Sequence, residues 1–332
     1  MSWKKNIAVG SATIGITTLT LHMINKLIYS SASGNSNDIY SGSYYKWKFG
    51  NIFYTKQGNG NPLLLIHDLS CYSSSAEWNR IIDELSTSHT VYTIDLLGCG
   101  HSDKPNITYT CYMYVQLIHD FIKEVIKQNT DIIATGISSA FAIGACQNDS
   151  SLINRIILVN PENIEKLSKS PSKISKTWAK VINVPIFGTF LYNVMTKKEQ
   201  IKEIFLAEYY YNQANVDEFL IDLYYRNAHT SHSDCKYLYA SIIGRYITMN
   251  LSHCLESITN SIFIISGDGE WENRITADEY KLILPAIEII GIEKTKHLPQ
   301  LERHREFIEQ IDILLSDPEE VEEFDEENES KI

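Results

Sequence analysis

The chain has 332 residues, enough for one large domain or two ordinary ones, and 44% of them are hydrophobic, which permits a sizeable core. The net charge is −12, and no basic patch suits nucleic acid. The six cysteines (71, 99, 111, 146, 235, 254) show neither CxxC spacing nor a Cys/His pattern for a metal, and they read as reduced core thiols.

Residues 1–29 form an N-terminal hydrophobic segment. Lys4 and Lys5 precede residues 7–24, which carry no Asp, Glu, Lys or Arg. That stretch is just long enough to span a membrane as a helix. It reads as a membrane anchor holding the protein at a membrane. The alternatives are a cleaved signal peptide, or a helix packed on a cytoplasmic protein. Residues 30–43 are polar and read as a linker.

Residues 45–49 and 52–55 read as a hairpin around Gly50-Asn51. Residues 62–66, 90–96, 131–135 and 155–160 are apolar runs of buried-strand length. Between them, 75–85 and 112–127 have helical spacing. Strand and helix alternate, which predicts a mostly parallel sheet with helices on both faces. From 161 to 260 no buried-strand run occurs, and helical segments rich in aromatics take its place. Strands resume at 261–266 and 286–290, and a last helix covers about 302–315. The predicted domains are therefore a core of 44–160 and 261–315, a helical cap of 161–260, and an acidic disordered tail of 316–332.

The chemistry centres on Gly136-Ile137-Ser138-Ser139-Ala140, where a buried strand turns into a helix. A small-X-Ser-X-small turn holds a serine hydroxyl clear of the sheet, so Ser138 is the candidate nucleophile and Ser139 the near alternative. A serine needs an adjacent base, and His297 lies in the loop after the last strand. The base needs a carboxylate. Gly267-Asp268-Gly269-Glu270 offers two, Asp268 and Glu270, with Glu162 behind them.

Residues 45–315 resemble the α/β-hydrolase fold family, in particular its capped serine hydrolases and esterases. The resemblance rests on the elbow, on Ile66-His67-Asp68, on Asp95-Leu-Leu-Gly-Cys-Gly-His-Ser-Asp-Lys-Pro105 and on His297-Leu-Pro. It implies a cap inserted after the sixth strand, with a Ser138–His297–Glu270 triad. It also implies an oxyanion hole from the backbone N–H groups of Leu69 and Ser139. The activity expected is hydrolysis of a small or medium apolar carboxylic ester, or a related acyl or C–C bond, through an acyl-enzyme. No cofactor or metal is implied. The 95–105 loop is also similar to that of haloalkane dehalogenases and epoxide hydrolases, but those carry aspartate at the elbow, and Ser138 argues against an alkyl-enzyme route. The alternative is a catalytically inactive hydrolase-fold binding protein. Asp68 and Ala140, standing where the family has glycine, favour it. The cap aromatics Tyr209, Tyr210, Tyr224 and Tyr225 are expected to shape the substrate cavity.

Overall fold

The computed structural model describes residues 2–32 and 41–316. Its centre is one eight-stranded sheet: β1 (Ser43–Trp47), β2 (Gly50–Gln57), β3 (Asn61–Ile66), β4 (His89–Ile94), β5 (Thr130–Thr135), β6 (Ile153–Val159), β7 (Ser261–Gly267) and β8 (Glu288–Ile292). The spatial order is β1-β2-β4-β3-β5-β6-β7-β8. β1 and β2 form the predicted hairpin, β2 is antiparallel to β4, and all other pairs are parallel. The chain steps from β3 to β4 on one side and then crosses to β5 on the other. Ligands bind in α/β sheets at such a reversal, beyond the carboxyl ends of the strands. Ile66 pairs with Ala134, so the loops leaving β3 and β5 emerge side by side.

β3 is apolar on both faces because both are covered. Leu64 and Ile66 pack with the helices Cys111–Phe121 and Ser138–Asn148, whereas Leu63 and Leu65 pack with Trp78, Phe307 and Ile311. Two predicted elements differ. The 75–85 segment splits into a 3₁₀ turn, Ser75–Trp78, and a one-turn helix, Ile82–Leu85. β8 lies two residues later than its apolar run suggests.

The 95–105 loop is held by the buried Asp95, whose carboxylate accepts N–H bonds from Ser75 (2.7 Å) and His101 (2.8 Å). Gly100 has φ +44°, and a Cβ there would lie 2.1 Å from Asp95 Oδ2. Gly100→Ala is therefore expected to cost on the order of 2–3 kcal/mol, measured by denaturant unfolding. A cost near zero would mean that the loop does not depend on this approach.

Between β6 and β7 the chain is helical, which gives the expected cap. The N-terminal anchor is corrected. No helix among the described residues is long and apolar enough to cross a membrane. Instead the helix Ser2–Ala32 lies on the cap. Its buried Asn25 donates to the Ile186 carbonyl (3.0 Å) and accepts from Asn193 Nδ2 (3.0 Å). The physical reason is visible in hindsight: Thr and Gly dilute the hydrophobicity, and His22, Asn25 and Lys26 need polar partners. The acidic tail, from 317 on, and most of the linker lie outside the described residues. All six cysteines are buried and unpaired.

Candidate active site

At the end of β5 the chain reverses at Gly136, the turn residue with φ +56°, and enters the helix Ser138–Asn148. Gly136 and Ile137 line a cavity of about 690 Å³, together with Asp68, Glu162, Tyr209, Glu270 and His297. Ser138 does not line it. It is fully buried and donates its hydroxyl to the His67 carbonyl at 2.6 Å. Ser139 donates to the Ala134 carbonyl (3.1 Å), and its N–H caps Gly136 within the turn (3.2 Å). The small-X-apex-X-small pattern therefore fits Ala134-Thr135-Gly136-Ile137-Ser138, two residues before the register read from the sequence. The apex carries no side chain.

A side chain at 136 would meet a carboxylate, since a Cβ there would lie 2.3 Å from Asp68 Oδ1. Asp68 follows β3. Its Oδ1 accepts the N–H of Leu69 (2.8 Å) and of Ile137 (2.9 Å). These two N–H groups, one after each strand, converge on Oδ1: of the two donors expected, the Leu69 N–H is here, while the Ser139 N–H is turned onto the Gly136 carbonyl. The other oxygen, Oδ2, lies 2.9 Å from His297 Nε2.

His297 is thus brought to the cavity, but not to the expected partners. Among the described residues Asp68 is the one carboxylate within 4.0 Å of its ring. Glu270 lines the cavity wall and faces Lys296 Nζ at 3.4 Å. The Asp268 carboxylate lies beside Gly291 on β8. His297 is positioned by Asn160, which follows β6 with φ +42°. The Asn160 amide donates to the carbonyls of Lys296 (2.7 Å) and His297 (3.0 Å) and accepts the Gly267 N–H (2.8 Å). Sequence reading missed Asn160, because an amide after a strand carries no motif.

The cap closes the site from above. Tyr209 stacks on the His297 ring, with centroids 5.0 Å apart. Of the four cap tyrosines expected to shape the cavity, Tyr209 alone lines it. Tyr224 is buried below, Tyr210 is buried against Phe205, and Tyr225 packs on His229. Tyr224 donates to Glu77 Oε1 (2.9 Å), and Glu77 Oε2 accepts the Asp68 N–H (3.0 Å). A hydrogen-bonded path therefore runs from the cap through Glu77 to Asp68 and His297.

The charges fit this arrangement. Burial pushes the Asp68 carboxyl up, but the hydrogen bond and charge of His297 and the two N–H groups more than offset it and hold it below its ordinary range. Burial pushes the His297 imidazole down, and the hydrogen bond and charge of Asp68, with Glu77 and Glu162, outweigh it and hold it above. The carboxylate–imidazolium pair is thus favoured between the two values. It is lost as pH falls through that of Asp68 or rises through that of His297.

Burial, then the charge of Asp68, pushes Glu77 up to about 8. A group whose value is raised on folding stabilises the fold fully below its unfolded value, and that contribution is lost as pH rises toward the folded one. The melting temperature of the protein is therefore expected to fall between about pH 5 and 8, and Glu77→Gln, which cannot ionise and whose amide oxygen can still accept the Asp68 N–H, should flatten that slope. An unchanged slope would remove Glu77 from the account. No group of three or more His, Cys, Asp or Glu among the described residues is placed to hold a metal.

Residues 63–310, well over half of the chain, match the alpha/beta hydrolase family. The chain belongs to that family. It is 31% identical over 108 residues to the 2-hydroxy-6-oxo-6-(2'-aminophenyl)hexa-2,4-dienoic acid hydrolase of Metapseudomonas resinovorans, which is 32% of this chain and 37% of that one. It is 23% identical over 127 residues to a haloalkane dehalogenase of Agrobacterium fabrum, which is 38% of this chain and 41% of that one. These alignments thus cover well under half of the relatives' length. In fold, the chain is similar to a bromoperoxidase from Bacillus anthracis, with TM-score 0.67 and 17% identity over 83% of this chain and 100% of the other. It is also similar to a carboxylesterase from Bacillus subtilis, with TM-score 0.62 and 14% identity over 90% and 98%.

Proposed function

We propose that this α/β hydrolase uses the Asp68 carboxylate as its nucleophile, with His297 as base, and that its substrate is a small apolar molecule bearing a leaving group on a saturated carbon. One observation carries the reading: Asp68 Oδ1 is held by the N–H groups of Leu69 and Ile137 while Oδ2 faces His297 and the cavity. A carboxylate so held is a preorganised nucleophile, and the elbow offers no other. The likeness to a haloalkane dehalogenase supports this substrate class. Serine-based ester hydrolysis, expected from the sequence, is set second because the Ser138 hydroxyl is directed at a backbone carbonyl and Ser138 does not line the cavity.

In the first step Oδ2 attacks the carbon, a C–O bond forms, and the C–X bond breaks with X leaving as an anion. The product is an alkyl ester of Asp68. Its formation removes the carboxylate charge that held the His297 proton, and burial then favours the neutral imidazole. Neutral His297 takes a proton from water, and the resulting hydroxide adds to the ester carbon. The oxyanion develops on Oδ1, where Leu69 and Ile137 already donate. Collapse expels the alkoxide, which His297 protonates, and Asp68 loses the remaining proton. The sum is R–X plus water giving R–OH, X⁻ and a proton.

The test is bromide release from 1-bromohexane, run beside labelling with a fluorophosphonate. Bromide release without labelling is expected. Labelling that Ser138→Ala abolishes would overturn the reading.

A second reading, a catalytically inactive binding protein, is favoured by one observation: among the described residues no carboxylate other than Asp68 lies within 4.0 Å of the His297 ring, so none pairs with it directly once Asp68 is esterified. Saturable binding of 1-bromohexane without bromide release would select it.

A further inference from the structure

A second cavity, of about 610 Å³, lies between the N-terminal helix and the cap. Its size suits a drug-sized or single-chain ligand. His22, Asn25, Lys26 and Tyr29 line it from the helix, and Ile186, His232 and Lys236 from the cap. Lys236 is 6% exposed, and the structure gives its ammonium one hydrogen bond, to Thr189 Oγ1 at 2.8 Å. No carboxylate among the described residues lies within 4.0 Å of it. An ammonium has three donors, and a buried one without an anionic partner is costly. Lys26 brings a second cation to the same cavity, and Asp234 is the one acid in its lining.

Pro185, Ile186 and the Tyr29 ring supply the apolar part of the wall, and His22, Asn25, Ser30, Thr189 and His232 supply uncharged polar groups. Beside the mouth, on the adjoining face of the helix, Ile16, Leu19, Met23 and Leu27 form a row and are 65–68% exposed. Backbone strain gathers here too: Ile186 has φ +63°, and Ser231, His232 and Ser233 have φ +53°, +55° and +62°. Non-glycine residues hold such angles at a cost, and they cluster where ligands bind.

From this we infer that the cavity binds a single-chain amphiphile with an anionic head, carboxylate or phosphate. The head pairs with Lys236 and Lys26, and the chain runs out over the apolar row. The site is separate from Asp68.

Binding is measured by calorimetry on the full chain, below micelle formation, with laurate, dodecyl phosphate and neutral dodecanol. Both anions are expected to bind at least tenfold more tightly than dodecanol, and the tighter of the two names the head group. Lys236→Met should weaken anion binding at least tenfold, and Asp68→Asn should leave it unchanged. Because Lys236 is buried, the exposed Lys26→Glu serves as the second variant and should weaken binding severalfold. Equal affinity for dodecanol, no binding of either anion, or indifference to both lysine substitutions overturns the proposal.

Discussion

Asp68→Asn is expected to lower kcat/KM for bromide release by roughly 10⁴-fold or more, the scale of removing a nucleophile. Asparagine nearly keeps the volume, so the fold should survive. An amide oxygen is a poor nucleophile at saturated carbon, and the lost charge also releases the His297 imidazolium from its partner. Ser138→Ala is the matched control. It removes a buried hydrogen bond to the His67 carbonyl, which costs about 1 kcal/mol of stability, and it should leave kcat/KM within a few-fold. Steady-state bromide release on both variants decides. If Ser138→Ala is the inactive one, the serine carries the reaction.

The second large effect is a gain. Gly136→Ser alone should destabilise the protein by several kcal/mol, because its Cβ would lie 2.3 Å from Asp68 Oδ1 and overpacking beside a buried carboxylate has no easy relief. The pair Gly136→Ser with Asp68→Gly removes that clash. It frees the Leu69 and Ile137 N–H groups and leaves His297 Nε2 open toward the new hydroxyl. The double variant should recover stability over the single one and become labelled by a fluorophosphonate at position 136, where the native protein is not labelled. A single variant as stable as the native protein would show that Asp68 does not occupy this space. A stable double variant that resists labelling would show that the elbow is not at 136.

Most of the fold was legible in the sequence, because buried parallel strands leave apolar runs such as Leu63–Ile66 and Ile132–Ala134 between clear turns. His297 was legible for a related reason, since a loop after the last strand has few other places to go. The proposed nucleophile was not. Two overlapping small-X-X-X-small patterns share Gly136 and Ser138, and choosing the one with serine at its centre placed the turn two residues late. The point that separates them is where the strand ends: β5 stops at Thr135, so Gly136 takes the turn. Asp68 was noticed as a departure from glycine and read as favouring an inactive binding protein. That its carboxylate accepts the Ile137 N–H and faces His297 follows only from three-dimensional proximity to residues 69 and 229 positions away. Glu270 lies on Lys296, and spacing after a strand does not reveal such a competing cation. The N-terminal helix was misread because length was weighed above polarity.

The most direct measurement uses His297→Gln, which leaves Asp68 able to attack but removes the base that turns the ester over. The variant is incubated with 1-bromohexane, quenched in acid, digested, and its peptides are weighed and fragmented. The account predicts one hexyl group per chain, on Asp68, with bromide released in the same amount and no further turnover. A hexyl group on another residue, or an unmodified protein, would contradict it.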